Sequence, residues 1–300
     1  MEARASRMKL VKAVSHRCSV GLRVLCRCRS LLIGTSILVV IFLCTVLAPI
    51  ISTYDPLALN FRDQLQAPSV RHFFGTDNYG RDIFSRVVYG ARVSLMVGAT
   101  TMVFTGFLGF VLGSLAGYYS VLDNIIMRSM DMLMALPAIL LAIAIMAILG
   151  PSALNAVIAL SIVYLPRTAR IVRGSTLAIR EQGFVEATRA VGAKDAWIIW
   201  RHVLPNCLAP LMVQQTVVFA YAVLTEAALS FLGVGAPPPV PSWGNILSEA
   251  RALIRIAPWA SIFPGVAIVL TVVALNLIGD GLRDQLDPYL KGRMSSWDGG

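Results

Sequence analysis

Charge is what this chain has least of. Lys, Arg, Asp and Glu together make up 14% of its 300 residues, against about 25% in soluble globular proteins. None of its four lysines follows a glycine, so the G-x-x-x-x-G-K-[ST] phosphate loop is absent and the chain cannot supply an ATPase of that type. Histidine is equally sparse. His16, His72 and His202 are far apart and no H-E-x-x-H occurs, which argues against a metalloprotease. The five cysteines are an odd number, three of them (Cys18, Cys26, Cys28) in a basic leading segment and two (Cys44, Cys207) in or near apolar runs, so no disulfide framework is expected. Cys26 and Cys28 stand one residue apart with no further Cys or His cluster beside them, which makes a zinc site improbable. No nucleophile sits near a candidate base, so an intramembrane enzyme is not expected.

Apolar length is what the chain has most of. Hydrophobic residues reach 57%, and five stretches carry no Asp, Glu, Lys or Arg: Ser30–Tyr54, Val93–Leu122, Met132–Pro166, Val203–Thr225 and Ile256–Gly279. At about 20 residues per span, the third stretch is too long for one helix and short for two. Gly150-Pro151-Ser152 divides it into a hairpin whose second arm borrows residues near Arg167 and Arg170. An all-α membrane protein with six transmembrane helices follows. With an inside N-terminus, 19 of the 26 basic residues fall on the inner side, which favours cytoplasmic N- and C-termini. The net charge of +10 then needs no nucleic-acid partner. Residues 1–30 form a basic cytoplasmic arm with Glu2 as its only carboxylate. Residues 31–92 hold the first span and an outer loop, 93–282 a five-helix core, and 283–300 a cytoplasmic tail. Leu31 to Ile51 is long enough to cross about 30 Å, so the leading segment is a retained anchor rather than a cleaved signal.

Four features inside this frame carry chemistry or packing. Gly109, Gly113 and Gly117 repeat at four-residue spacing, the small-residue pattern that lets helix backbones approach in lipid. Gly75-Thr76-Asp77-Asn78-Tyr79-Gly80-Arg81-Asp82, with Ser85-Arg86 and Tyr89-Gly90-Ala91-Arg92 after it, suits a salt-bridged turn leading into a helix. Residues 181–206 form a polar island. Phe184, Ala187, Thr188 and Val191 recur at helical spacing opposite Glu181, Gln182 and Arg189, Gly192 offers a stop, a second helical segment follows, and Pro205 disfavours continuing in the same direction. Such a unit either lies in the lipid interface or docks a partner. Intramembrane polar residues are the fourth feature. Arg128 and Asp131 are spaced to pair on one helix face, with Asp131 read as a structural ion pair near the inner mouth ahead of a substrate ligand. Glu226 either lines a polar path with Gln214 and Gln215 or lies hydrated at the outer surface. Gly233 to Pro258 is rich in turn formers, with Trp243 suited to the interface belt.

Glu186-Ala187-Thr188, Gly192 four residues on and Leu204-Pro205 resemble the EAA loop of ABC importer permeases. Thr188 and His202 depart from the usual Ala and Ile without disturbing the helix, glycine and proline skeleton. Arg201–Asn206, Gly75–Arg92 and Asn276–Asp284 followed by Asp287-Pro288 are similar to the smaller, second permease subunit of dipeptide, oligopeptide and nickel importers, a resemblance covering about residues 31–291. It implies a type I importer core in a bacterial inner membrane, with short peptides preferred over nickel because no His or Cys cluster marks a metal path. The implied partners are a homologous permease, two cytoplasmic ATPase subunits that use the ATP, a periplasmic binding protein and membrane lipid. No cofactor is bound by the chain itself. Glu186, Ala187, Gly192, Arg201, Leu204 and Pro205 would couple to the ATPase; Asp131, Gln214, Glu226 and Asn276 are pathway candidates; Trp243, Gly244 and Asn245 are candidates for binding-protein docking. The reading from another class is an ion-coupled secondary transporter using Glu226 and Asp131 as relay groups, which predicts inverted repeats that are not evident. A structural membrane anchor would need no polar pathway.

Overall fold

A computed structural model describes residues 29–286. The basic arm to residue 28, with His16 and three of the cysteines, and the tail from Asp287 lie outside them. Helix α1, Arg29–Val46, and the single turn α2, Ala48–Ile51, cover the first apolar run. Helix α3, Ile83–Tyr118, is 36 residues long, about 54 Å, and starts ten residues before the run that suggested it. Asp82 explains the early start, because its carboxylate accepts the Ser85 N–H at 2.8 Å and caps the helix. The extra turns are covered by protein rather than lipid, with Ile83, Val87 and Ala91 buried.

The third expected span is broken. Helices α4, Ser120–Met134, and α5, Ala138–Leu149, meet at 90°. Pro137 supplies no N–H and disfavours the helical conformation at Leu136, and α4 is amphipathic rather than uniformly apolar. Among the described residues, five helices are long and apolar enough to cross a membrane, or six if the bent pair counts as one span. The hairpin at Gly150 is as expected: α5 ends at Leu149 and α6 runs Ala153–Arg180, taking in Arg167 and Arg170.

Helix α7, Gly183–Ala190, precedes the break at Gly192, where φ is +86°. Helix α8, Asp195–Ile198, then passes through one π-helical turn, Ile199–Val203, straight into α9, Leu204–Phe231. Pro205 therefore does not end the helix. It sits in the first turn of α9, and the wider π turn before it moves the carbonyl four residues back away from the proline ring. Helix α10, Trp243–Ala250, is short, and α11, Trp259–Leu286, closes the bundle.

Helix α3 packs along α6 and α9, α9 along α11, and α1 lies on α11. The α3–α6 contact is the tight one. A β-carbon at Gly109 would lie 2.6 Å from Thr168 Cγ2, one at Gly113 2.7 Å from Val172 Cβ, and one at Gly117 2.6 Å from Thr176 Cβ. Every one of those distances is too short for carbon, so the three glycines let the two backbones touch. Gly174, on α6, meets nothing within 4 Å. Gly113→Ala is therefore expected to lower the thermal inactivation midpoint of the solubilised protein by overpacking of about 1–3 kcal/mol. Gly174→Ala should leave it unchanged or raise it slightly, and equal effects of the two would sink the seam.

Candidate functional site

Three regions concentrate the polar side chains. The outer one is built by the Gly75–Asp82 turn. Asp77 Oδ1 accepts the backbone N–H groups of Tyr79 (2.8 Å) and Arg81 (3.0 Å). Its Oδ2 accepts Arg81 Nε and Arg86 Nη1, both at 2.7 Å. Arg86 Nη1 also reaches Glu249 Oε2 on α10 at 2.7 Å, and Arg81 Nη2 pairs with the same carboxylate. Two guanidinium groups thus balance two carboxylates in a largely buried quartet, which joins the outer loop, the start of α3 and α10. Beside it, Asp82 Oδ1 bonds His72 Nδ1 at 2.9 Å, and the His72 ring stacks on Tyr54. The expected salt-bridged turn is present. The fourth member of the quartet, Glu249, lies 163 residues from Arg86 and leaves no local signal.

The middle region holds Glu226, which is 1% exposed. Ser94 on α3 donates to its Oε2 at 2.8 Å, and Ser230, one turn further along α9, donates to its Oε1 at 2.8 Å. The Ser94 oxygen also accepts the Trp243 N–H at 3.4 Å. Glu226 is therefore a joint between α3, α9 and α10, neither hydrated at the surface nor open to a path. Gln214 lines a cavity of about 510 Å³ with Ile171, Pro210, Val213 and Arg283. It is twelve residues from Glu226, about 18 Å along the helix and a third of a turn round it. Gln215 points elsewhere, donating to Thr168 Oγ1 and accepting from Thr105. Asp131 pairs with Arg170 of α6 at 2.7 Å rather than with Arg128. Both partners are half exposed, so the pair adds little stability. Asn276 is exposed on α11. Glu226, Gln214 and Asp131 thus stand in three different surroundings, a serine-lined joint, a cavity and an ion pair.

Trp243, Gly244 and Asn245 are corrected in the same way. Trp243 is 1% exposed and donates Nε1–H to the Val87 carbonyl at 2.9 Å, and Asn245 donates to the Ala236 carbonyl at 2.8 Å. These three form the inward face of α10 and are closed to a docking protein. The exposed residues on either side of α10 are Pro237–Val240 and Arg251–Ile256 apart from half-buried Leu253.

The inner region is the polar island. Val185, Ile198 and Val203, each 0% exposed, pack with Tyr118, Val172, Ile179 and Leu211 and fix the loop to the bundle. The stripe that suggested an amphipathic helix faces outward instead. Phe184 is exposed, as are Val191 (84% exposed) and Trp200 (77%), and large apolar residues left in the open are of the kind that mark a protein contact. Glu186, Ala187, Arg201 and Pro205 are exposed too, a β-carbon at Gly192 would meet nothing within 4 Å, and Leu204 is half buried. The charged face is recruited inward by a residue outside the motif. Tyr118, the last of α3, donates its hydroxyl to Asp195 Oδ1 at 2.5 Å and accepts from Arg189 Nη2 at 3.0 Å. One phenol thus holds both sides of the Gly192 break. Arg180 Nη1 donates to the Tyr118 carbonyl at 2.8 Å, and Arg173 grips Asp123 through Nε (2.5 Å) and Nη2 (2.6 Å), tying α6 to the same corner.

Comparison with known proteins follows the same lines. A family profile described as the binding-protein-dependent transport system inner membrane component matches residues 109–292, and one for the N-terminal TM domain of oligopeptide transport permease C matches residues 20–68. A Brucella suis protein named a putative peptide transport system permease is 53% identical over 90% of this chain and 91% of its own length. The dipeptide transport system permease DppC of Alkalihalophilus pseudofirmus is 48% identical, covering 87% and 86%. The glutathione transport system permease GsiD of Pectobacterium atrosepticum is 48% identical over 75% of each. Among solved structures, the inward-facing MetNI methionine ABC transporter superposes with a TM-score of 0.58 at 22% identity, over 67% of this chain and 96% of that one, a likeness of fold.

Removing the Tyr118 hydroxyl should loosen the inner loop without touching the bundle. In Tyr118→Phe, amide hydrogen exchange across residues 183–198 is expected to quicken on the order of fivefold, with α3 unchanged. Unaltered exchange in the loop would show that the phenol holds nothing.

Proposed function

The chain belongs to the family of binding-protein-dependent transport system inner membrane components, and on that premise we propose that it is the permease subunit through which an ATP-driven ABC importer passes short peptides. The peptide assignment is carried by the names of relatives that match it along nearly its whole length. Its architecture is a mostly helical, multi-pass permease core of the type I importer kind.

The proposed working assembly adds a second permease, two ATPase subunits and an external binding protein, with both termini of this chain on the cytoplasmic side. The outward apolar surface of Phe184, Val191, Trp197 and Trp200 supports docking of an ATPase at the inner loop, with Glu186, Ala187 and Arg201 exposed around it. Closure of the ATPases on ATP would push α7, and Gly192 would take up the change in angle between α7 and α8. The flanks of α10, Pro237–Val240 and Arg251–Ile256, supply the surface for the binding protein. An ion-coupled mechanism through Glu226 and Asp131 is disfavoured by the Arg170 that pairs with Asp131 and by the serines that seal Glu226.

Uptake of a labelled dipeptide, and separately of nickel, is the direct test, in cells with and without this subunit and with its partners present in both. Loss of peptide uptake alone is expected; loss of nickel uptake alone would overturn the cargo and keep the permease. Coupling has its own variant. At φ +86° a β-branched side chain costs about 1–2 kcal/mol while Asn is tolerated, so Gly192→Val should lower uptake per ATP hydrolysed and Gly192→Asn should largely preserve it. Equal ratios in both variants would remove the hinge role.

A further inference from the structure

Between α1 and α3 lies an apolar crevice of about 660 Å³ that none of the regions above uses. Two helix stripes form its walls. Leu38, Val39, Phe42 and Val46 recur along one face of α1, Leu95, Met96 and Ala99 along one face of α3, and Phe219 of α9 closes the floor. The helices run in opposite directions, so Leu38 and Ala99 share the deep end and Val46 and Arg92 the shallow one. Val39, Phe42, Val46 and Met96 are each about half exposed, so the crevice opens outward from the bundle. Its size is within the range of about 300–1,000 Å³ usual for a small-molecule site.

A single charge stands at its mouth. Arg92 is exposed; it donates Nε–H to the Thr45 carbonyl at 3.1 Å and Nη2–H to the Val46 carbonyl at 3.5 Å, at the C-terminal end of α1, and its guanidinium lies 5.0 Å from the Tyr89 ring centre. Those contacts fix its position and use two of its five N–H donors. They do not neutralise it, and no carboxylate among the described residues forms an ion pair with it. A cation at the membrane edge without a counter-charge calls for an anion, and guanidinium groups match phosphate by parallel hydrogen bonds. The chemistry at the top suits an anion and at the bottom an aliphatic chain, with about 12 Å of helix between Leu38 and Val46.

We propose that this crevice is a binding site for an anionic phospholipid, with the phosphate on Arg92 and an acyl chain between α1 and α3. Phosphatidylglycerol is the stated occupant, since a zwitterionic lipid carries its own ammonium group beside its phosphate. The bound lipid fills the gap between α1 and α3 and gives Arg92 its counter-charge.

The test uses the assembled transporter in phosphatidylcholine nanodiscs, doped with phosphatidylglycerol or phosphatidylcholine carrying the same photoactivatable acyl chain. Peptides spanning residues 38–46 and 92–99 should be labelled by the phosphatidylglycerol probe about fivefold more than by its counterpart, the preference one basic side chain gives near an anionic headgroup. Arg92→Gln should abolish the preference and Arg92→Lys should retain much of it. Ala99→Phe, which fills the deep end and leaves Arg92 in place, should reduce labelling by both probes and decides the matter if Arg92→Gln does not assemble. Equal labelling by the two probes in the unaltered protein would make the crevice a generic groove and overturn the proposal. So would absence of label from these peptides, which would mean that a protein partner covers them, or undiminished labelling in Ala99→Phe.

Discussion

Close approach of α3 and α6 is the constraint on which the rest of the structure depends. Two apolar helices surrounded by lipid gain nothing from hiding their side chains from water, so association rests on contact between atoms. Gly109, Gly113 and Gly117 supply that contact by removing the side chains that would hold the backbones apart. Once α3 is fixed against α6, its two ends reach past the hydrocarbon on either side. The N-terminal end carries Arg86 into the buried quartet, and the C-terminal end carries Tyr118 to the polar island.

What could be read in the sequence was whatever is local or periodic. The glycine spacing gave the seam, Gly150-Pro151-Ser152 the hairpin, and the Asp77–Asp82 turn its ion pairs, because each is complete within a few residues. Other features are assembled from distant pieces. Glu226 reads as an isolated carboxylate because one of its serine donors comes from residue 94, and Trp243 reads as an interfacial aromatic because its carbonyl acceptor is on Val87. The bend at Pro137 was hidden by the apolar length around it, whereas at Pro205 a π turn absorbed what a proline ordinarily breaks. Tyr118 carries no motif; only its position against both Arg189 and Asp195 marks it.

The polar island at residues 181–206 reverses the usual economy of an amphipathic segment. Val185, Ile198 and Val203 suffice to anchor it, and its larger apolar residues are left in the open. A surface of that kind is stable in isolation only at some cost in solubility. It makes sense where a second protein covers it, and the half-exposed polar groups around it supply the rim that protein contacts ordinarily have.

The π turn has a mechanical meaning. Because Ile199–Val203 joins α8 to α9 without interruption, residues 195–231 form one rod of 37 residues, about 55 Å long. A tilt of about 5° at its Asp195 end would swing its Phe231 end by about 5 Å. That tip carries Glu226 and Ser230, and Glu226 is bonded to the Ser94 that accepts the Trp243 N–H of α10, so a small tilt at one end of the rod arrives at the other as a displacement of the joint between α3, α9 and α10.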